Sequence, residues 1–279
     1  MTSVARRLDR LSALLSGLAP RVEVARPQPL QPVLSWDAVA QPMLHLHLIM
    51  GGLFELGVEG GADLPVQGPA IVLCRGDMPH TLSASSVPAF EAMICARATL
   101  DGPAAALLLA EFAQPMVVSL AEADASLQQV IQLIAGELLD PRCGQPALLD
   151  RAGDILFIGM LRHLVAHPRT SRGLFNGLAD PRIAATLVAM HTQPQQAWTL
   201  ETLAHTAGMS RTAFATRFRE LMNQPPGRYL GVLRLSIASR AVRAGLGLKR
   251  AARESGYASV SALSRALSRP TLDTFERMK

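Results

Sequence analysis

Four side chains in the first hundred residues are equipped for chemistry: His45, His47, His80 and Cys95. His45 and His47 stand two apart in the alternating run His45-Leu46-His47-Leu48, so on a strand both point to one face. Imidazoles in such a set bind metals when a carboxylate or further ligand completes the shell. No acidic residue falls in place here, so no metal is expected, and the bland alternative is histidines lining an apolar pocket. Cys95, beside strand residue Ile94, is either redox-active or a small core hydrophobe. A Ser-His-Asp set or a pair of carboxylates cannot be placed. The Gly pairs at 51–52 and 60–61 follow no phosphate-loop pattern and read as turns. The chain is therefore expected not to be an enzyme and to need no cofactor.

A second group of polar residues lies in the last hundred positions. Ser210, Arg211, Thr212, Ala215, Thr216 and Arg219 occupy one predicted helix, and Ser259, Ser261, Ser264 and Arg265 another. The elements that carry them repeat. Leu200, Leu203, Ala204 and Ala207 form a helical face, Gly208-Met209-Ser210 follows, and Phe214, Phe218 and Leu221 continue the apolar period. Forty-eight residues after Leu200, Leu248, Ala251, Ala252 and Ser255 repeat the first face, then come Gly256-Tyr257-Ala258-Ser259, Leu263 and Leu267.

Each piece has a physical reason. Ala204 and Ala252 let two helices cross closely. Gly208 and Gly256 suit the positive φ that ends a helix. Ser210 and Ser259 are N-cap types. This is the helix-turn-helix arrangement, whose second helix enters the DNA major groove. A helix starting at Pro225-Pro226 and running through Ala241 joins the two copies. About 20 residues at 1.5 Å each give roughly 30 Å, close to the roughly 34 Å between successive groove faces on one side of a duplex. One chain can then read two grooves.

Charge agrees. Residues 1–179 carry 12 Arg and no Lys against 16 Asp and Glu, net −4; residues 180–279 carry 15 Lys and Arg against 6, net +9. The basic back half suits a polyanion. Three Cys without a C-x-x-C pair exclude a disulfide scaffold or zinc ribbon and fit a reducing, cytoplasmic setting. The longest uncharged run, Ala38 to Phe54, holds Gln41, Pro42, two His and two Gly, so it reads as sheet and turn rather than a membrane span. At the N-terminus Asp9 and Arg10 interrupt the apolar stretch after Arg6 and Arg7, favouring an amphipathic helix over a signal peptide.

Along the chain, residues 4–18 read as a helix, and the Pro-rich residues 20–42 as extended or turn. From His45 to Leu100 strand patterns dominate, with a hairpin turn at Glu59 to Asp63. Residues 104–112, 122–139 and 146–167 read as helices, and the last two have apolar faces broad enough for a homodimer. The fold class is α+β in two domains: 1–168 forms a β-barrel or sandwich with a helical extension, 169–179 a linker, and 180–279 an all-α domain with two helix-turn-helix units.

Three stretches of the back half carry a family resemblance. They are Trp198-Thr199-Leu200-Glu201-Thr202-Leu203-Ala204, Gly208 through Phe218, and Pro226-x-x-Tyr229-Leu230-x-x-x-Arg234-Leu235-x-x-Ala238. With Ala251-Ala252-x-x-Ser255-Gly256-Tyr257-Ala258-Ser259, they resemble the DNA-binding domain of AraC/XylS-type regulators. The resemblance departs at the end. The family usually has Phe at the positions of Leu263 and Leu267 and then a Gly-x-x-Pro turn, whereas Ser268 to Phe275 is shorter and lacks that Gly. The front half, through His45 to Gly52, Gly68 to His80 and Ile94-Cys95-Ala96, is similar to the cupin-like effector domain of one subgroup.

Together the resemblances imply a transcription regulator, with double-stranded DNA, a small-molecule or oxidant effector, and RNA polymerase as partners. Thr212, Ala215 and Thr216 then face bases, as do Ser261, Ser264 and Arg265, with Arg265 placed for a bidentate guanine contact. His45, His47, His80 and Cys95 become the effector-binding or sensing set. Enzymatic cupins supply two His and a Glu from their first motif and one His from the second; the Glu is missing here. The alternatives are a cupin-type metal-binding enzyme with an accessory helical domain, and a DNA-architectural protein without a sensor.

Overall fold

A computed structural model describes residues 9–27, 32–85 and 87–268. The chain forms two compact units. One comprises the described parts of Met1–Leu18, Gly102–Glu111 and Leu164–Lys279; the other comprises Ala19–Asp101 and Phe112–His163.

The second unit is a sandwich of two antiparallel sheets. Its strands are β1 (Pro20–Ala25), β2 (Val33–Trp36), β3 (Met43–Ile49), β4 (Leu53–Val58), β5 (Leu64–Gln67), β6 (Ala70–Arg75), β7 (His80–Ala84), β8 (Met93–Leu100) and β9 (Met116–Ser119). One sheet runs β1-β8-β3-β6-β9, the other β2-β7-β4-β5. The Pro-rich stretch thus supplies two strands, β1 and β2, and β9 is an edge strand that the periodicity does not announce. Every residue of β3 is buried, because β3 lies between β8 and β6 with both its faces covered. On its inner face Ile49 joins Phe54, Leu56, Val72, Cys74, Leu82 and Met93 in a single core cluster. On its outer face Leu44 shares a register row with Ala98 and, through it, Val22. Helix α4 (Gln145–Ala166) covers that face. A Cβ on its Gly153 would lie 3.0 Å from the Val22 carbonyl oxygen, so any larger residue there would have to push β1 away by a few tenths of an ångström. Helix α3 (Ala125–Leu139) packs on α4 where Gly159 meets Leu127.

The first unit is helical: α1 (Ser12–Leu18), α2 (Ala105–Leu109), α5 (Leu174–Ala179), α6 (Pro181–Thr192), α7 (Leu200–Thr206), α8 (Arg211–Met222), α9 (Pro226–Arg243), α10 (Leu248–Ser255) and α11 (Val260–Leu267). The N-terminal helix is shorter than the expected 4–18; its first residues, 4–8, lie outside the described ones, as does the departure from the family pattern beyond Ser268.

Residues 169–179, expected as linker, carry helix α5, with Leu174, Phe175 and Leu178 buried. Six residues are too few to hold a helix unaided. Here distant side chains hold both ends. Glu111 accepts the Leu174 amide at 2.7 Å at the N-terminal end. The Arg10 guanidinium donates to the Leu178 and Ala179 carbonyls at 3.0 and 2.9 Å at the other. The Arg10 cation at the C-terminal end suits the helix dipole, and neither partner is visible from the local sequence.

Candidate functional site

The inner face of β3 assembles the first site. Register places His45 opposite Cys74 and Arg97, and His47 opposite Val72 and Cys95. His80 opens β7 on the facing sheet, opposite Trp36 of β2. The three predicted imidazoles therefore meet across the sandwich, with ring centroids 5.1 to 6.0 Å apart. Trp36 stacks on His80 at 5.0 Å with an interplanar angle of 10°, and tilts against His47 at 4.2 Å. All three His are buried. Among the described residues, no group of three or more His, Cys, Asp and Glu side chains is arranged to hold a metal ion.

Hydrogen bonds give the cluster a direction. His80 Nδ1 is 2.8 Å from the Met78 carbonyl oxygen, which can only accept, so His80 carries its proton on Nδ1. In the neutral ring Nε2 is then an acceptor. His47 Nε2 lies 2.9 Å away and must donate. That leaves His47 Nδ1 bare, 3.3 Å from the Cys95 sulfur, where it accepts the thiol proton. The chain of donors thus runs Cys95 to His47 to His80 to Met78.

Burial keeps every member neutral. It holds His47 well below the ordinary histidine range, with the neighbouring His80 and His45 adding to the effect. It lowers His45 to about 4, helped by His80 and Arg97, and lowers His80 against the opposing Met78 bond. It pushes the Cys95 thiol up to about 12. His45 Nε2 is the exception to the saturation: buried, with no hydrogen-bond partner among the described residues.

The second site is the pair of helix-turn-helix units. Thr199 caps α7 in a reciprocal bond with Thr202. Gly208 takes φ 62° in the turn, and Ser210 caps α8 by accepting from the Ala213 amide at 3.3 Å. In the second unit Gly256 takes φ 80° and Ser259 accepts from the Ala262 amide at 3.1 Å. Ser210 and Ser259 therefore spend their hydroxyls on caps. Phe214, Phe218 and Met222 bury the inner face of α8, leaving Arg211, Thr212, Thr216 and Arg219 exposed and Ala215 half-buried. Leu263 anchors α11 and leaves Ser261, Ser264 and Arg265 exposed. Each set forms one stripe, at spacings of three and four residues. Arg217 differs: it pairs with Asp180, the N-cap of α6, at 3.0 Å.

Sequence reasoning passes over several contributors. Trp36 sits in a four-residue strand with no periodicity around it, and the role of Met78 belongs to its backbone carbonyl. Buried Tyr229 bonds His191 Nε2 through its hydroxyl at 2.7 Å; only its place in the α9 pattern hinted at burial.

Two helix-turn-helix units joined by one helix, together with an antiparallel cupin-like sandwich, define the class: a cupin-like domain combined with a helical domain of helix-turn-helix type. The chain belongs to the cupin family that matches its residues 9–166, and a helix-turn-helix domain family matches residues 203–277. A protein of Streptomyces lividans named as an AraC-like transcription regulator is 35% identical over 146 residues, covering 52% of this chain and 48% of that protein. The RCS-specific HTH-type transcriptional activator RclR of Escherichia coli K12 is 29% identical over 243 residues, covering 85% of this chain and 81% of that protein. The chain spans about half the length of the Streptomyces relatives it matches. Among solved structures, ToxT from Vibrio cholerae O395 aligns at a TM-score of 0.36 and 12% identity, covering 93% of this chain and 98% of that one. No helix among the described residues is long and apolar enough to cross a membrane.

Proposed function

We propose that this chain is a sequence-specific DNA-binding transcription regulator controlled by a small-molecule or redox signal. For function we divide it into a sensing and dimerising domain, 1–168, a connector, 169–179, and a DNA-binding domain, 180–279. The observation that carries the DNA reading is the pair of exposed stripes, Thr212, Ala215, Thr216 and Arg219 on α8 and Ser261, Ser264 and Arg265 on α11, each behind a capped turn in a half of net charge +9. Duplex DNA is the partner this geometry fits, with a homodimer and RNA polymerase as protein partners.

The sensing reading rests on the buried cluster. His45 Nε2 offers an unpaired polar atom inside an apolar sandwich, the arrangement that fixes a small molecule's orientation. Cys95 supports the redox form. As a neutral thiol it is a poor nucleophile, and it becomes reactive only as its proton passes to His47 Nδ1. The E. coli relative is, by its name, an RCS-specific HTH-type transcriptional activator. We read the cluster as non-catalytic, because every proton in the chain is already committed to a neighbour.

The test is a selection of duplexes from a random pool by the full chain, repeated with small-molecule and oxidant panels. A selected consensus whose affinity shifts with one panel supports the proposal. No enrichment overturns the DNA reading; enrichment with no response to either panel, and none lost in Cys95→Ala or His45→Gln, overturns the sensor.

A further inference from the structure

The two turn glycines of the repeat have the same sequence role and different surroundings. Gly208 faces open space: a Cβ there would meet nothing within 4 Å. Gly256 is pressed against backbone. A Cβ would fall 2.7 Å from Gln195 Cα, 2.9 Å from the Pro194 carbonyl oxygen and 3.0 Å from Arg234 Nε. The turn of the second unit therefore rests on the loop that leads into the first.

Arg234, midway along α9, ties the same loop down. Its Nε donates to the Pro194 carbonyl at 2.8 Å and its Nη2 to the Gln196 carbonyl at 2.6 Å. The loop is itself braced: Trp198 Nε1 donates to the Gln193 carbonyl at 2.9 Å, and Thr199 at its end caps α7. Arg234 thus joins three parts, the connecting helix, the start of the first unit and the turn before α11.

Apolar packing alone gives the second unit little to hold on with. Its fully buried cluster is Ala238, Ala251, Ala252 and Leu263, with Ala241, Val242, Tyr257 and Leu267 packed against it only partly buried, whereas the first unit fully buries the larger Phe214, Phe218, Met222 and Tyr229. Alanines bury little area, and burial is what fixes an apolar interface.

We propose that Arg234 and Gly256 act as positioning residues that set the spacing between the two recognition helices, and with it the operator spacing the chain accepts. This rests on the reading that both α8 and α11 contact DNA. A rigid link makes the second contact effectively intramolecular at one spacing and abolishes it at others; a loose link trades affinity for tolerance.

The experiment uses the full chain and a duplex selected by it, alongside single half-sites and the same duplex with one base pair inserted between them. One base pair moves the second groove by 3.4 Å along the axis and by roughly a tenth of a turn around it. Wild type should lose at least about 30-fold on the insertion. Arg234→Met should lose about 10-fold on the native spacing, less than about 3-fold more on the insertion, and keep half-site affinity. Gly256→Asn should behave like it, while Gly208→Asn, equally able to adopt positive φ, should behave like wild type. If Arg234→Met does not fold, Arg234→Lys, which keeps the charge but replaces the planar fork with a single ammonium, takes its place. Equal sensitivity to the insertion in wild type and in folded Arg234 variants overturns the proposal. So does a Gly208→Asn that matches Gly256→Asn. If wild type binds the duplex no better than one half-site, the two-contact reading itself fails, a distinct result.

Discussion

His47 Nε2 and His80 Nε2 stand 2.9 Å apart across the two sheets, and one proton serves both. The Met78 carbonyl, two residues before His80, decides which ring carries it. Removing His80 should leave a buried N–H on His47 without a partner. His80→Phe is expected to lower unfolding stability by about 1–3 kcal/mol, the usual cost of such an orphan. The double variant His47→Phe/His80→Phe should cost less than the sum of the two single changes. Urea unfolding of the four proteins checks this; additive losses would mean the rings are not coupled.

Acid should destabilise the protein through its buried histidines. His45 and His191 are both lowered to about 4 from 6.5 by burial. A depressed value means that the unfolded chain takes up the proton first as pH falls. Their contribution is complete above pH 6.5 and is lost as pH drops towards 4. The thermal midpoint of wild type should fall across that window, and His45→Gln with His191→Gln should flatten the fall. An unchanged slope in the double variant would refute the assignment.

Glu111 should act in the opposite sense. Burial raises it from 4.5 to about 7, against the Leu174 and Phe175 amides, which lower it. Its raised value favours the protonated form in the fold. The contribution is full below pH 4.5 and lost as pH rises through 7, about 3 kcal/mol at 1.36 kcal/mol per unit. Glu111→Gln keeps an acceptor for α5 and, with the opposing carboxyl gone, should deepen the loss of stability that the histidines cause between pH 8 and pH 5 by about 2–3 kcal/mol. Denaturant midpoints at both pH values decide the matter.

Two arginines on the exposed stripes should differ in kind. Arg265→Ala should cost about 1–3 kcal/mol on the selected duplex and relax base preference at one position. Arg219→Ala, towards the end of α8, should weaken specific and random DNA alike and lower the salt slope by about one. Equal losses from Arg265→Ala on both duplexes would remove α11 from base readout.

Association should run through α3 and α4. Leu139 is 68% exposed and Ile155 51% exposed, on the two helices whose apolar faces exceed what the sandwich covers. Leu139→Glu with Ile155→Glu should convert a dimer to a 29.8 kDa monomer by light scattering at tens of micromolar protein. A wild-type monomer at that concentration would defeat the expectation.

The helical half was legible residue by residue because its signals are local. A Gly at each turn, a Ser at each cap and apolar residues at spacings of three and four specify helix-turn-helix units wherever they occur, and Gly208, Gly256, Ser210 and Ser259 behave as their types require. The strand period likewise placed His45 and His47 on one face. What the sequence alone did not determine depends on residues far apart in the chain. Sheet register brings Cys95 to His47, and sandwich closure brings His80 and Trp36 over them; neither follows from spacing. Helix α5 forms within an expected linker because Arg10 and Glu111, 168 and 63 residues from their respective carbonyl and amide partners, hold its ends. Gly208 and Gly256 are indistinguishable in the repeat, and only packing sets them apart. Backbone presses on one and nothing approaches the other, since a motif prescribes its own dihedral angles but not what the rest of the chain lays against it.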